Sequence, residues 1–184
     1  MNNLHDDNSG QTMLEIILAL GVMTMVIVSI ITLVTRGIST SGQSSQNLIA
    51  IELAREGIEV ARGVRDSNWL SGENWDEFLF QADGDRDAVP VFEYATNEWS
   101  LDFSLDGIEH APVMLDDGMY LQSDTQSGRP TEFYRILEFE FLDKDITGVS
   151  ERERYAVQVT SRVRWKDRGK YVEIKIQEEL FNWR

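Results

Sequence analysis

Ser9-Gly10-Gln11-Thr12-Met13-Leu14-Glu15-Ile16-Ile17-Leu18-Ala19-Leu20 opens a hydrophobic run that extends to Val34, and Glu15 is the only charge between Met13 and Val34. A helix of about 20 apolar residues crosses a bilayer core of roughly 30 Å. The 22 residues from Met13 to Val34 are therefore long enough to serve as an anchor. A carboxylate inside such a span is costly and marks a functional site whose counter-ion has to be found. Two plainer readings compete with that one. A secretory signal has a basic start, a shorter apolar core and a cleavage site after the core. Here the leader Met1 to Gly10 has no Lys or Arg and the core is longer. An ordinary signal anchor fits length and hydropathy but leaves Glu15 without a role.

The same residues resemble the N-terminal signature of type IV pilins and their relatives in secretion and DNA-uptake machines. In that family a short polar leader ends in glycine, and a glutamate stands at the fifth position of the processed chain. The resemblance implies cleavage between Gly10 and Gln11 by a prepilin peptidase, with N-methylation of the Gln11 amine. It makes Glu15 the assembly residue, whose carboxylate pairs with that amine in its own chain or in a neighbouring subunit. The implied fold is α+β: a long N-terminal helix, transmembrane in its first half, packed on an antiparallel β-sheet head. The implied function is that of a structural subunit, a minor pilin or pseudopilin, in a pilus or related secretion or DNA-uptake filament. Its partners would be other pilin subunits, the peptidase, a membrane assembly platform and, before assembly, the lipid bilayer. The implied location is the cytoplasmic membrane as a single-pass precursor, then a cell-surface filament with the head outside the cytoplasm. The competing reading is a singly anchored cell-surface protein, adhesin-like, whose head binds a ligand without polymerising.

The family pattern divides the chain into leader (1–10), transmembrane and assembly helix (11–36), second half of the helix (37–68) and β-rich head (69–184). Beyond residue 36 the chain carries 29 acidic and 16 basic residues, a net of −13, which on average repels nucleic-acid phosphates. It has no cysteine, so no disulfide braces the head.

After a soft Ser/Gly/Gln-rich stretch at Ile38 to Gln46, Leu48, Ile51, Ala54, Ile58 and Ala61 recur at helical spacing. This pattern predicts a helix to about Val64, ending at the turn-favouring Asp66-Ser67-Asn68. Joined to the apolar run, Gln11 to Asp66 makes a rod of about 84 Å. No proline interrupts it.

Further on, Tyr155, Val157, Val159, Val163 and Trp165 alternate with polar residues, as do Val172, Ile174, Ile176 and Leu180. Lys166-Asp167-Arg168-Gly169 between them predicts a hairpin with one face on a core. Glu178 falls on the apolar phase, which predicts a bulge or a strand end there. Leu137, Phe139 and Phe141 supply a third strand.

Four features invite a specific chemistry. Asp83, Asp85 and Asp87, at alternate positions around Gly84, have a spacing that wraps calcium. They lack the closing glutamate of an EF-hand, and a solvated acidic turn has the same composition. Arg154, Arg162 and Arg164 could line a phosphate-contacting stripe, but interleaved glutamates favour cross-strand ion pairs, and direct nucleic-acid binding is not expected. Trp69, Trp75, Trp99, Trp165 and Trp183 suit either a carbohydrate-binding surface or core anchors. An enzyme is disfavoured, because His5 and His110 lack a motif context and no nucleophile elbow, phosphate loop or HExxH occurs. No cofactor is expected beyond calcium at the acidic turn.

Overall fold

The computed structural model describes residues 9–79, 87–105, 107–123, 128–144 and 153–182. Helix α1 runs unbroken from Ser9 to Ser71. The Ser/Gly/Gln stretch is helical too; there Thr40 Oγ1 donates to the Arg36 carbonyl at 3.0 Å. Contacts divide the chain into two compact units, 1–45 and 46–184.

In the second unit the end of α1 lies on an antiparallel seven-stranded sheet. The strands are β1 (Asp87–Glu93), β2 (Glu98–Asp102), β3 (Pro112–Asp116), β4 (Met119–Leu121), β5 (Arg129–Lys144), β6 (Glu153–Asp167) and β7 (Lys170–Phe181). Along one edge β5 pairs with β6, which pairs in turn with β7. Its other edge is shared: β3 pairs with its first residues and β1 with Leu137 and Glu138. Two hairpins, β1–β2 and β3–β4, thus hang from one strand. A layer of helix on a layer of sheet confirms the α+β class.

The helix buries a stripe of small and branched residues: Ala50, Leu53, Ala54, Gly57, Ile58 and Ala61. Leu48, expected on that stripe, is 63% exposed, because the contact line runs through Ala50 and Gly57 on the adjoining face. At Gly57 the helix comes so close to the sheet that a Cβ would stand 2.7 Å from Ser161 Oγ and 2.8 Å from Leu137 Cδ2. The core falls into two clusters on either side of that approach. One gathers Ile58, Ala61, Leu137, Phe139, Val157, Val159 and Leu180 with Trp75. The other gathers Ala50, Leu53, Ala54, Phe133, Val163 and Trp165. Between them Gly57, Arg135 and Ser161 occupy the intervening positions of α1, β5 and β6.

Two sequence expectations fail here. The helix continues past Asp66-Ser67-Asn68, because Asn68 is buried and its amide donates to the carbonyls of Trp75 and Glu77 at 3.2 and 2.6 Å. The end comes at Gly72, whose φ of 79° allows a Schellman closure: Gly72 N–H donates to Trp69 O and Glu73 N–H to Asn68 O. Strand β7 neither bulges nor stops at Glu178, which pairs in register with Val159. Its carboxylate is taken up by Arg62 of α1, whose Nη2 donates to Oε1 and Oε2 at 2.5 and 2.7 Å. The β6–β7 turn is as expected, with Arg168 and Gly169 at φ 47° and 84°, the pattern of a type I′ hairpin.

Candidate functional site on the N-terminal helix

Every residue from Thr12 to Val34 is exposed, and this part of α1 has a mean hydropathy of 2.8 in its most apolar window. The helix is long and apolar enough to cross a membrane. Its hydroxyls turn back on their own backbone: Thr24 donates to Gly21 O, Ser29 to Met25 O, Thr32 to Val28 O and Thr35 to Ile31 O, each at 2.8 Å. Such bonds satisfy polar groups without water, as a hydrocarbon surrounding requires.

Glu15 stands out against this background. It is exposed and has no hydrogen bond or ion pair among the described residues. Gln11 and Glu15, both within α1, are four residues apart and so lie on the same side of the helix, about 6 Å along its axis. Gly10 also lies within α1, so Gly10, Gln11 and Glu15 fall within its first two turns.

The other candidates scatter. Asp83 and Asp85 lie outside the described residues; Asp87 opens β1 opposite Glu138. Among the described residues no three His, Cys, Asp or Glu side chains gather as a metal site. Of the arginine stripe, Arg162 bonds Glu138, and its Nη2 donates to Glu173 at 3.0 Å. Arg164 donates to Glu109 at 3.3 Å and lies 5.0 Å from the Tyr171 ring centre. Hydrogen bonding to Glu173 outweighs burial and raises the Arg162 pKa. Ion pairing thus accounts for both Arg162 and Arg164; the side chain of Arg154 is not among those described. Trp75 and Trp165 are core residues, at 7% and 1% exposure. Trp69 is half-buried under the Arg65 guanidinium at 4.7 Å, Trp99 packs edge-on to Phe92 at 5.3 Å, and Trp183 lies outside the described residues.

Sequence reasoning missed Arg135. It is wholly buried, its Nη1 donating to Leu53 O at 3.1 Å and Glu56 Oε2 at 2.6 Å, and its Nε to Gln122 Oε1 at 3.0 Å. Gln122 in turn donates to Ala111 O and Arg135 O. Burial lowers the Arg135 pKa, against the pull of Glu56. The signal was legible: Arg135 stands on the apolar phase set by Phe133, Leu137 and Phe139. Its bonds tie α1 to β5 across the seam between the two clusters, a structural task.

Where the β1–β2 and β3–β4 hairpins diverge, a cleft of about 360 Å³ opens. Val89, Met114, Glu93, Asp102 and His110 are among the residues lining it. No family model, curated protein or solved structure matches this chain.

Proposed function

We propose that this chain is a structural subunit of the type IV pilin kind, a minor pilin or pseudopilin. In this reading it is trimmed between Gly10 and Gln11 and packed through its N-terminal helix into a filament. One observation carries the reading: a single carboxylate, Glu15, without a partner among the described residues, one helical turn from Gln11 on an apolar helix whose hydroxyls are satisfied internally. Trimming exposes an α-amino group beside that carboxylate. In a low-dielectric setting each charge stabilises the other, and a neighbouring chain can exchange for the intrachain partner, which makes the pair a register mark for assembly. The division of labour along α1 supports the same reading, since its second half is held by the sheet and its first half is left uncovered.

The N-terminal residue and mass of the protein from native membranes test this first. A chain beginning at Gln11, with or without an added methyl, is expected; an intact leader beside an active prepilin peptidase overturns the proposal. Glu15→Ala is expected to abolish incorporation into sheared filaments while membrane insertion persists, and normal incorporation would remove the assembly role. The cleft between the hairpins favours a second reading, an anchored protein whose head binds a small ligand without polymerising. Filaments containing the chain would argue against it.

A further inference from the structure

Strand β2 is an edge: among the described residues it pairs with β1 alone. Its neighbour fixes which of its backbone groups face outward. Phe92 N–H donates to Gln122 O at 2.8 Å, away from β2, so Phe92 and Trp99 form a non-bonded pair of the ladder. Trp99 therefore turns its own N–H and C=O to the open side. Leu101, two residues on, does the same, and across from it stands Pro90, which has no N–H to offer.

That open side borders a groove of about 890 Å³ whose other wall is α1. All five residues from Asn97 to Leu101 line it, although their side chains alternate between the two faces of the strand; the backbone edge itself borders the groove. Val60, Gly63 and Val64 line the helix side. Two features here are unfavourable for the chain by itself. Gly63 stands in the interior of α1, where alanine is the better helix former, although an added Cβ would meet nothing within 4 Å. Phe78 lines the same groove with a φ of 61°, uncommon for a bulky residue, and is 67% exposed. A ligand that approaches the helix backbone at Gly63 and covers Phe78 accounts for both.

We propose that this groove takes an extended peptide segment of another protein, added to β2 as an antiparallel strand through the backbone groups of Trp99 and Leu101. The two faces of β2 specify its composition. Trp99 and Leu101 share one face and meet Val60 and Val64 across the groove, so the residues paired with them are apolar. Glu98, Ser100 and Asp102 share the other. Asp102 Oδ1 accepts the Ser104 N–H at 2.8 Å, and neither Glu98 nor Asp102 has a cation beside it among the described residues. The intervening residues of the segment are therefore basic. A lone segment carries no α1 of its own, so antiparallel addition leaves the orientation of the chain in a membrane untouched, whereas a second copy would bring its helix with it. The inference goes beyond the pilin reading and does not depend on it.

The test pans a display library of short linear peptides on the full-length protein in detergent micelles, with counter-selection on empty micelles. Enriched sequences are expected to alternate apolar and basic residues. In a synthetic copy of one of them, N-methylation of an apolar residue removes a hydrogen bond to β2 and is expected to lower affinity about tenfold. N-methylation of a basic residue, whose N–H points away from β2, is expected to leave affinity unchanged. Any other pattern overturns strand addition in this register. Gly63→Leu, which puts a side chain into the groove, is expected to weaken binding at least about tenfold with no loss of thermal stability. Glu98→Lys is expected to weaken it and to flatten its dependence on salt. Failure to enrich an alternating sequence, or undiminished binding by Gly63→Leu, overturns the proposal. So does self-association of the protein that Gly63→Leu abolishes, which would give the groove to a second copy.

Discussion

The two halves of α1 are made of the same secondary structure and meet opposite fates. From Met13 to Val34 the apolar residues surround the helix and every one is exposed. From Ala50 to Ala61 they are confined to one stripe, and the sheet covers it. The polar groups follow suit. Hydroxyls in the first half bond their own backbone, whereas charges in the second half reach other strands: Glu56 to Arg135 and Arg62 to Glu178. An all-round apolar surface leaves choice of partner to the surroundings, while a stripe flanked by charges specifies one partner and one register.

The largest test of this contrast is at Arg135. Arg135→Ala empties a buried site and strands Gln122 and the Leu53 carbonyl, so it is expected to destabilise the head by about 3 kcal/mol in urea unfolding. Arg135→Met, which refills the volume, is expected to cost less than half as much. Equal losses would mean that hydrogen bonding rather than volume dominates. Next comes one substitution made in each half. Gly57→Val forces side-chain atoms into Ser161 and Leu137 and is expected to cost about 1–3 kcal/mol. Gly21→Val has open space around it and is expected to leave the unfolding midpoint of the head unchanged. A loss at Gly21 as large as at Gly57 would erase the distinction.

Much of this contrast was legible in the sequence. The unbroken apolar run named the first half, and the alternations from Tyr155 to Leu180 named the last hairpin. Strands β1 to β4 were not assigned, because they are 3 to 7 residues long and two contain proline, Pro90 and Pro112, which speaks against strands in a local reading. The helix end was missed because Asn68, a poor helix former by itself, is repaid by two carbonyls of the following loop. Glu178 looked like a fault in a strand until Arg62, 116 residues away, supplied its partner. Tertiary pairing of this kind leaves no local trace beyond a charge in the wrong phase.

A smaller effect is expected on the solvent face of the sheet. Burial alone would raise the Glu173 pKa, but the hydrogen bond and charge of Arg162 prevail and hold it below the ordinary 4.5. A carboxyl whose folded pKa is depressed adds stability above the ordinary range and loses it as pH falls through the lowered value. Urea midpoints measured from pH 6 down to pH 3 should therefore fall, and Arg162→Gln should flatten part of that fall. An unchanged profile would mean that the pair is screened by solvent. Smallest of all, Glu15→Ala is expected to change the head's unfolding free energy by less than about 0.5 kcal/mol, since Glu15 is an exposed residue of the other compact unit.

The separation in sequence between the stripe on α1 and the strands that cover it has a consequence for biosynthesis. Ala50 to Ala61 leave the ribosome early, yet their cover comes from β5, β6 and β7, the last of which ends at Phe181. At roughly 5–20 residues per second, the intervening hundred or so residues take on the order of ten seconds to synthesise. During that interval the stripe has no cover and its charged flank, Glu56 and Arg62, has no mates. The nascent head therefore passes through a period of vulnerability to aggregation and proteolysis, timed by translation, that closes only when the final hairpin arrives.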